Sequence, residues 1–227
     1  MKSQKPNETA ADSKGAALKA PLQDRSRKSL EALLAASEAL LKEERDFDDL
    51  SVLEIAKRAG LSVGGFYARF PSKTALLPVL EERALERSRE TLRKFSAEPQ
   101  WEGASLRQRV IGLVRLMSRT KQIHRGLHRA LLDHGLLAGD NEIGGASEKS
   151  NRNISGLGEF LIECRDEIAH PDPYRAVQTV LLFTNTSLNE QLIRTTGPYL
   201  AHWKLTRNQL IEELSRAGYA YLTLRSW

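Results

Sequence analysis

His124 and His128 stand four residues apart, with Asp133 and His134 close behind, a spacing at which side chains on one helix face can chelate a metal. Arg125 and Arg129 are interleaved with them and no third ligand is fixed by spacing. They read as surface or pocket-wall histidines, and no metal is expected. Nucleophilic chemistry is equally thin. Cys164 is the only cysteine and follows the apolar run Phe160-Leu161-Ile162, so it reads as a small buried hydrophobe. A lone cysteine also excludes an intramolecular disulfide and a Cys-based zinc site. No Ser-His-Asp or Cys-His arrangement can be picked out by motif. Gly144-Gly145 lacks both the preceding strand and the following Gly-Lys-Ser/Thr of a phosphate loop. The chain is not expected to be an enzyme, and nothing in it calls for a cofactor.

The chemistry that remains is electrostatic. Between Glu54 and Glu81 there is no acidic residue, while Lys57, Arg58, Arg69 and Lys73 are all basic. Such a surface attracts a polyanion, and the acidic stretch from Glu43 to Asp49 is expected to face elsewhere. The elements that must position these cations are short. Ser51 and Glu54 match a capping box, in which each side chain satisfies the other's backbone amide. The helix they open ends at Gly60, which suits the left-handed conformation of a helix terminus. Ser62 is the next N-cap, and Pro71-Ser72 stops and restarts the chain. Ala56 is small where a second helix must pass close, and Ile55, Leu61 and Phe66 supply the faces that clamp the pair. Two very short helices joined by a tight turn form a helix-turn-helix, with the second helix free to enter a major groove.

In Ile55-Ala56, Ala59-Gly60-Leu61-Ser62, Gly64, Tyr67, Phe70, Ser72-Lys73 and Leu76-Leu77 the chain resembles the tetracycline-repressor (TetR-type) regulators, over roughly residues 25–80. The resemblance implies a three-helix DNA-binding domain, a fourth helix leading to a larger domain, dimerisation through the last two long helices, and a small ligand that alters operator affinity. It places Ser62, Val63, Gly65 and Tyr67 on the groove-facing side of the recognition helix, with Tyr67 reaching a phosphate or base edge and Lys73 binding phosphate. Two positions depart from the family pattern. Gly65 stands where Thr, Ser or Ala is usual, and Arg69 where His is common, which suggests a phosphate contact or a guanine reader at Arg69. The candidate DNA contacts are therefore Ser51, Lys57, Arg58, Ser62, Val63, Gly64, Gly65, Tyr67, Arg69 and Lys73. Adjacent Gly64 and Gly65 weaken the recognition helix by about 1 kcal/mol each relative to Ala, so it is expected to be partly mobile without DNA.

The rest of the chain supports an all-α fold. The sequence has 227 residues, 41% hydrophobic and 28% charged with net charge +5, an ordinary balance with a mild preference for polyanionic partners. No apolar run approaches about 18 residues, so no transmembrane helix is expected. The polar N-terminus does not fit a signal peptide, and a reducing cytoplasm is the expected setting. Residues 1–21 read as a disordered basic arm, able to touch DNA or to remain solvated, 22–71 as the DNA-binding domain and 72–227 as a helical regulatory and dimerisation domain. Helical periodicity begins after Asp24, a candidate N-cap. A long helix is expected from Ser72 to Phe95, kinked by Pro78, and later ones at about 104–120, 121–134, 149–169, 173–196 and 204–225.

A largely apolar effector is expected in a cavity of residues 100–196, with Met117, His124, His128, Phe160, Phe183, Asn185 and Asn189 as candidate contacts. Asn185, Asn189 and Gln191 sit on an otherwise apolar helix, where they either meet a ligand or neighbouring subunit or are simply exposed. Leu181, Leu188, Leu192, Leu205, Leu210, Ile211, Leu214, Tyr221 and Leu222 give the last two helices broad apolar faces. A monomer is expected to leave these uncovered, which favours an isologous homodimer. The partners read are thus an operator duplex, a second copy and an effector. The alternative is a helical DNA-binding protein without a small-molecule inducer, controlled by a protein partner or acting on chromosome organisation.

Overall fold

The computed structural model describes residues 13–43, 45–136, 148–193 and 205–225, with side chains described at 25–43, 45–136, 155–193 and 205–225. Among the described residues the fold is all-helical: α1 (Ser13–Lys42), α2 (Val52–Arg58), α3 (Val63–Tyr67), α4 (Leu76–Ser96), α5 (Leu106–Ile123), α6 (Arg125–Asp133), α7 (Glu148–Ile162), α8 (Pro173–Leu192) and α9 (Arg207–Thr223). Short 3-10 turns lie at Phe47–Asp49, Pro99–Trp101 and Arg165–Glu167.

Local chemistry explains most of the boundaries. Ser105 with Gln108, and Thr206 with Gln209, form complete capping boxes at the starts of α5 and α9. At α8 the Asp172 carboxylate accepts from the Arg175 amide at 3.0 Å and Pro173 occupies the first position, where a missing amide costs nothing. Gly135 closes α6 with φ 61°, its amide donating to the Leu132 carbonyl and that of Leu136 to Leu131.

Several boundaries differ from the sequence reading. α1 already begins at Ser13, so residues 13–21 of the expected disordered arm are helical and Asp24 lies inside the helix. Residues 1–12 lie outside the described residues. α4 begins at Leu76 rather than Ser72, because Ser72 instead caps a preceding turn by accepting from the Ala75 amide at 3.2 Å. Pro78 is then the third residue of α4. Its missing amide is one of the first four that have no intrahelical acceptor, so the physical cause of the expected kink is removed.

The side chains divide into two cores. The first joins Leu33, Leu40, Ile55, Ala56, Phe66, Phe70, Leu76, Leu77 and Leu80 to Leu127, Ala130 and Leu131 of α6. The second gathers Trp101, Leu106, Val110, Leu113, Met117, Phe160, Val177, Leu181, Leu188, Leu210, Leu214 and Leu222. The division between cores therefore does not fall at residue 71: the start of α4 and all of α6 pack with the N-terminal helices. Gly126 permits this, because a β-carbon there would overlap the Leu41 carbonyl of α1.

The apolar stripes of α8 and α9 are covered within the chain. Leu181, Leu188, Leu210, Leu214 and Leu222 are all buried against α5, α7 and each other. The expectation that a monomer leaves both faces uncovered is thus corrected. What stays exposed is smaller: Tyr174 and Leu182 on α8, Leu205 before α9 and Leu224 at its end.

Candidate nucleic-acid interface

The α2–α3 turn is closed by backbone geometry. Gly60 has φ 70°, its amide donates to the Lys57 carbonyl at 3.1 Å, and that of Leu61 reaches back to Ala56 at 2.9 Å. This pair of bonds is what a left-handed glycine after a helix makes possible. Ser51 Oγ accepts from the Glu54 amide at 3.1 Å, and Ser62 Oγ from the Gly65 amide at 3.1 Å. Both predicted caps are present. The reciprocal half of the Ser51 box is not: the Glu54 carboxylate pairs with Arg45 instead, and that guanidinium lowers its pKa below the ordinary value.

Packing then decides which side of α3 faces outward. Phe66 is fully buried beside Ile55 and Ala56, and its ring meets Tyr67 edge-on at 5.4 Å. Ser62, Gly64 and Tyr67 are exposed, while Val63 and Gly65 are half-buried. Tyr67 keeps 52% of its surface, so the phenol is presented to solvent rather than to the core. Lys57 is exposed, and its side chain forms no bond to another described residue.

Three predicted cations sit differently from expectation. The Lys73 ammonium donates to the carbonyls of Phe47 at 2.9 Å, Asp48 at 3.0 Å and Leu50 at 2.9 Å, and lies 4.7 Å from the Phe47 ring centroid. All three of its protons are consumed in closing the Phe47–Asp49 turn. Without DNA it acts as a structural staple of that turn. Arg58 pairs with Glu43 at 2.7 Å, so the acidic stretch does not face away from α2 but leans on it. Arg69 Nη2 donates to the Ser26 carbonyl at 3.0 Å, turned towards α1.

The contact between α6 and the Phe47–Asp49 turn, inside the first core, carries polar links that no local motif announced. Arg129 on α6 is 2.9 Å from Asp46, and His134 Nε2 is 3.0 Å from Asp48 Oδ1 with its ring edge-on to Phe47 at 5.5 Å. Ser26 as the partner of Arg69 had no signal in the sequence. Gly126 had one: an isolated glycine inside a helical pattern commonly marks a close approach.

The candidate effector residues are scattered. Met117 and Phe160 are buried in the second core, Phe160 against Trp101 and the Arg109 guanidinium. Phe183 packs on that core from its edge, and Asn185 is exposed. Asn189 Oδ1 and Thr184 Oγ1 are buried with no hydrogen-bond partner among the described residues. His124 and His128 stack edge-on at 6.5 Å; burial lowers the pKa of His124 and takes that of His128 down to about 3, assisted by Lys121. Among the described residues no metal-ligating trio is assembled. A cavity of about 580 Å³ opens at the seam beside Lys42, Arg45, Gln122, Ile123 and Arg129, lined by none of the seven. Its neighbour, beside Glu38 and Arg87, is lined by His124 alone of the seven. Cys164 is half-buried, its thiol donating to the Ala104 carbonyl at 3.4 Å.

Comparison with known proteins is consistent with this geometry. The family described as "Bacterial regulatory proteins, tetR family" matches residues 33–80. The HTH-type transcriptional regulator EthR of Mycobacterium tuberculosis is 41% identical over 68 residues, 30% of this chain and 31% of that protein. The matched segment thus spans about a third of the curated relative. A TetR transcriptional regulator from Rhodococcus sp. RHA1 superposes with TM-score 0.54 at 17% identity, covering 89% of this chain and 100% of that one. A TetR transcription regulator from Haloarcula marismortui superposes with TM-score 0.58 at 17% identity, covering 87% and 97%. No described helix is long and apolar enough to cross a membrane. Residues 33–80 thus match the model of the tetR family of bacterial regulatory proteins, within a chain that shares the all-helical fold of solved TetR regulators.

Proposed function

We propose that this chain is a sequence-specific DNA-binding transcription regulator that works in the cytoplasm as a homodimer. The observation that carries the reading is α3: a short capped helix that buries Phe66 and presents Ser62, Gly64 and Tyr67, inside the segment matching the tetR family. In this reading those side chains and Lys57 read the major groove. A second copy places an identical helix about 34–36 Å away, which makes the operator a near-palindrome. The exposed Tyr174 and Leu182 of α8, with Leu224 at the end of α9, support dimerisation through the last two helices.

The chain acts as a repressor released by a small, largely apolar effector held among the helices of the larger domain. The buried, unpartnered Thr184 Oγ1 and Asn189 Oδ1 support a polar ligand contact there, since buried oxygens without donors are uncommon. An effector changes DNA affinity only by preferring one subunit arrangement, so it must bind best to the spacing that no longer fits successive grooves. One observation favours a second reading, control by a protein partner without an inducer: Met117 and Phe160 are packed into a continuous core rather than lining a shared cavity. A thermal-shift screen of apolar small molecules separates the two, since only the first reading expects stabilisation coupled to DNA release.

The primary test is selection from a random genomic duplex pool by fluorescence anisotropy, repeated across salt. Enrichment of one palindrome, with log K falling steeply against log salt, is expected. Equal weak binding to every sequence at low salt would overturn it.

A further inference from the structure

Arg69 lies two residues beyond Tyr67, yet its guanidinium does not face outward. Nη2 donates to the Ser26 carbonyl at 3.0 Å and lies 3.3 Å from Ser26 Oγ, and Nε is buried with no hydrogen-bond partner among the described residues. The contact joins the turn after the recognition helix to the interior of α1. Ser26 is flanked there by Arg25 and Lys28, three residues apart and both exposed. Ser26 itself leads along α1 to Leu30 and then to fully buried Leu33, at the four- and seven-residue steps of one helix face. This stretch of α1 is thus held at Ser26 by Arg69, and the two cations beside it remain in solvent.

We propose that Arg69 is a positioning residue that fixes the interior of α1 around Ser26 beside α3, so that Arg25 and Lys28 form a phosphate-binding clamp flanking the groove. This rests on the DNA-binding reading above. Seating α1 beside α3 and ordering two long cationic side chains at the moment of binding costs free energy. A bond from Arg69 to the main chain of Ser26 sets the place of that stretch of helix beforehand. Phosphate contacts of this kind add sequence-independent affinity and set register without reading bases.

The test uses a fluorescein-labelled random-sequence duplex of about 40 base pairs and the slope of log K against log salt, expressed per subunit of the bound dimer, where each phosphate contact contributes about 0.9. The double variant Arg25→Gln/Lys28→Gln should lower the slope by about 2. Arg69→Met, which keeps the half-buried stem, should lower it by about 1 to 2 on its own and add nothing in the double-variant background. In the free protein, the same Met variant should speed amide exchange at residues 27–30. A further drop of about 0.9 from Arg69→Met in the double background would mean that Arg69 itself meets phosphate, and would overturn the proposal. So would an unchanged slope in the double variant, or unchanged exchange in the Met variant. Absence of any salt-dependent wild-type binding would instead remove the DNA-binding reading, and the clamp with it.

Discussion

Gly126 of α6 lies so close to the carbonyl oxygen of Leu41 in α1 that a β-carbon would overlap it. An exposed helical glycine normally gains up to about 1 kcal/mol on replacement by Ala. Here the sign reverses. Gly126→Ala should lower the urea stability of the protein by about 1–3 kcal/mol, the usual range for overpacking a close contact. Unchanged or raised stability would mean that α6 does not sit against α1 as described.

Lys73 provides a second stability test, one that separates folding from DNA affinity. Lys73→Met keeps the apolar stem but strips the side-chain donor shared by the carbonyls of Phe47, Asp48 and Leu50. A loss of about 1.5–3 kcal/mol is expected, the range for hydrogen bonds to a charged group. The salt slope of DNA binding should not move, because the ammonium is already occupied. A fall of about 0.9 in that slope would return Lys73 to the phosphate backbone.

His128 makes a pH prediction of definite sign. Its folded pKa is about 3, lowered first by burial and then by Lys121 and His124, against an ordinary value of 6.5. A depressed folded pKa means that the unfolded chain takes up the proton first. The stability from His128 is therefore complete above about pH 6.5 and is lost as pH falls towards 3. His124, shifted the same way, adds to the loss. Denaturation midpoints should fall between about pH 6.5 and 4.5, above the range where carboxylates begin to protonate. His128→Leu should flatten that slope. Parallel pH profiles for the variant and wild type would refute the assignment.

Gly64 and Gly65 occupy two of the five positions of α3. The amides from Gly64 to Tyr67 should exchange rapidly in the free protein and slowly on DNA. A β-carbon at Gly65 would meet Ser62 Oγ at 3.5 Å and Leu61 Cβ at 3.7 Å, ordinary contacts, so Gly65→Ala fits. It should stabilise α3 by up to about 1 kcal/mol and slow exchange before DNA is added. Strong protection of these amides in the free wild-type protein would contradict the idea.

Leu182, 67% exposed in the middle of α8, is the place to break the proposed dimer. Leu182→Glu puts a charge where a desolvated interface would form, at a cost of several kcal/mol if it stays unpaired. Light scattering should show the wild type as a dimer at micromolar concentration and the variant as a monomer with native helicity. Identical masses would move the interface elsewhere.

The helix-turn-helix was legible because its signals are local. Ser51, Gly60 and Ser62 act on amides within a few residues, and Ile55, Ala56 and Phe66 repeat at helical spacing, so the chain itself states the turn. The partners of Lys73 and Arg69 were not legible. Their acceptors, the carbonyls around Phe47 and that of Ser26, are backbone groups that any residue type would supply. Only the folded path decides whether a cation meets them or meets solvent. The same limit applied to Leu181 and Leu214, where periodicity marked an apolar stripe but could not say which surface would cover it. Pro78 shows how a boundary shift of a few residues changes meaning: inside a helix it kinks, in the first turn it fits.

The membership of α6 in the first core bears on how such proteins are recombined. Leu127, Ala130 and Leu131 fill the space between the N-terminal helices and the start of α4, although the chain reaches them only after α5. A chimera joined at residue 71 would import a foreign plug for that space, or none, and each missing leucine would forfeit about 1.5–3 kcal/mol of burial. The unit that can be exchanged between relatives is thus discontinuous in the chain, and α6 travels with the half of the molecule that carries the helix-turn-helix.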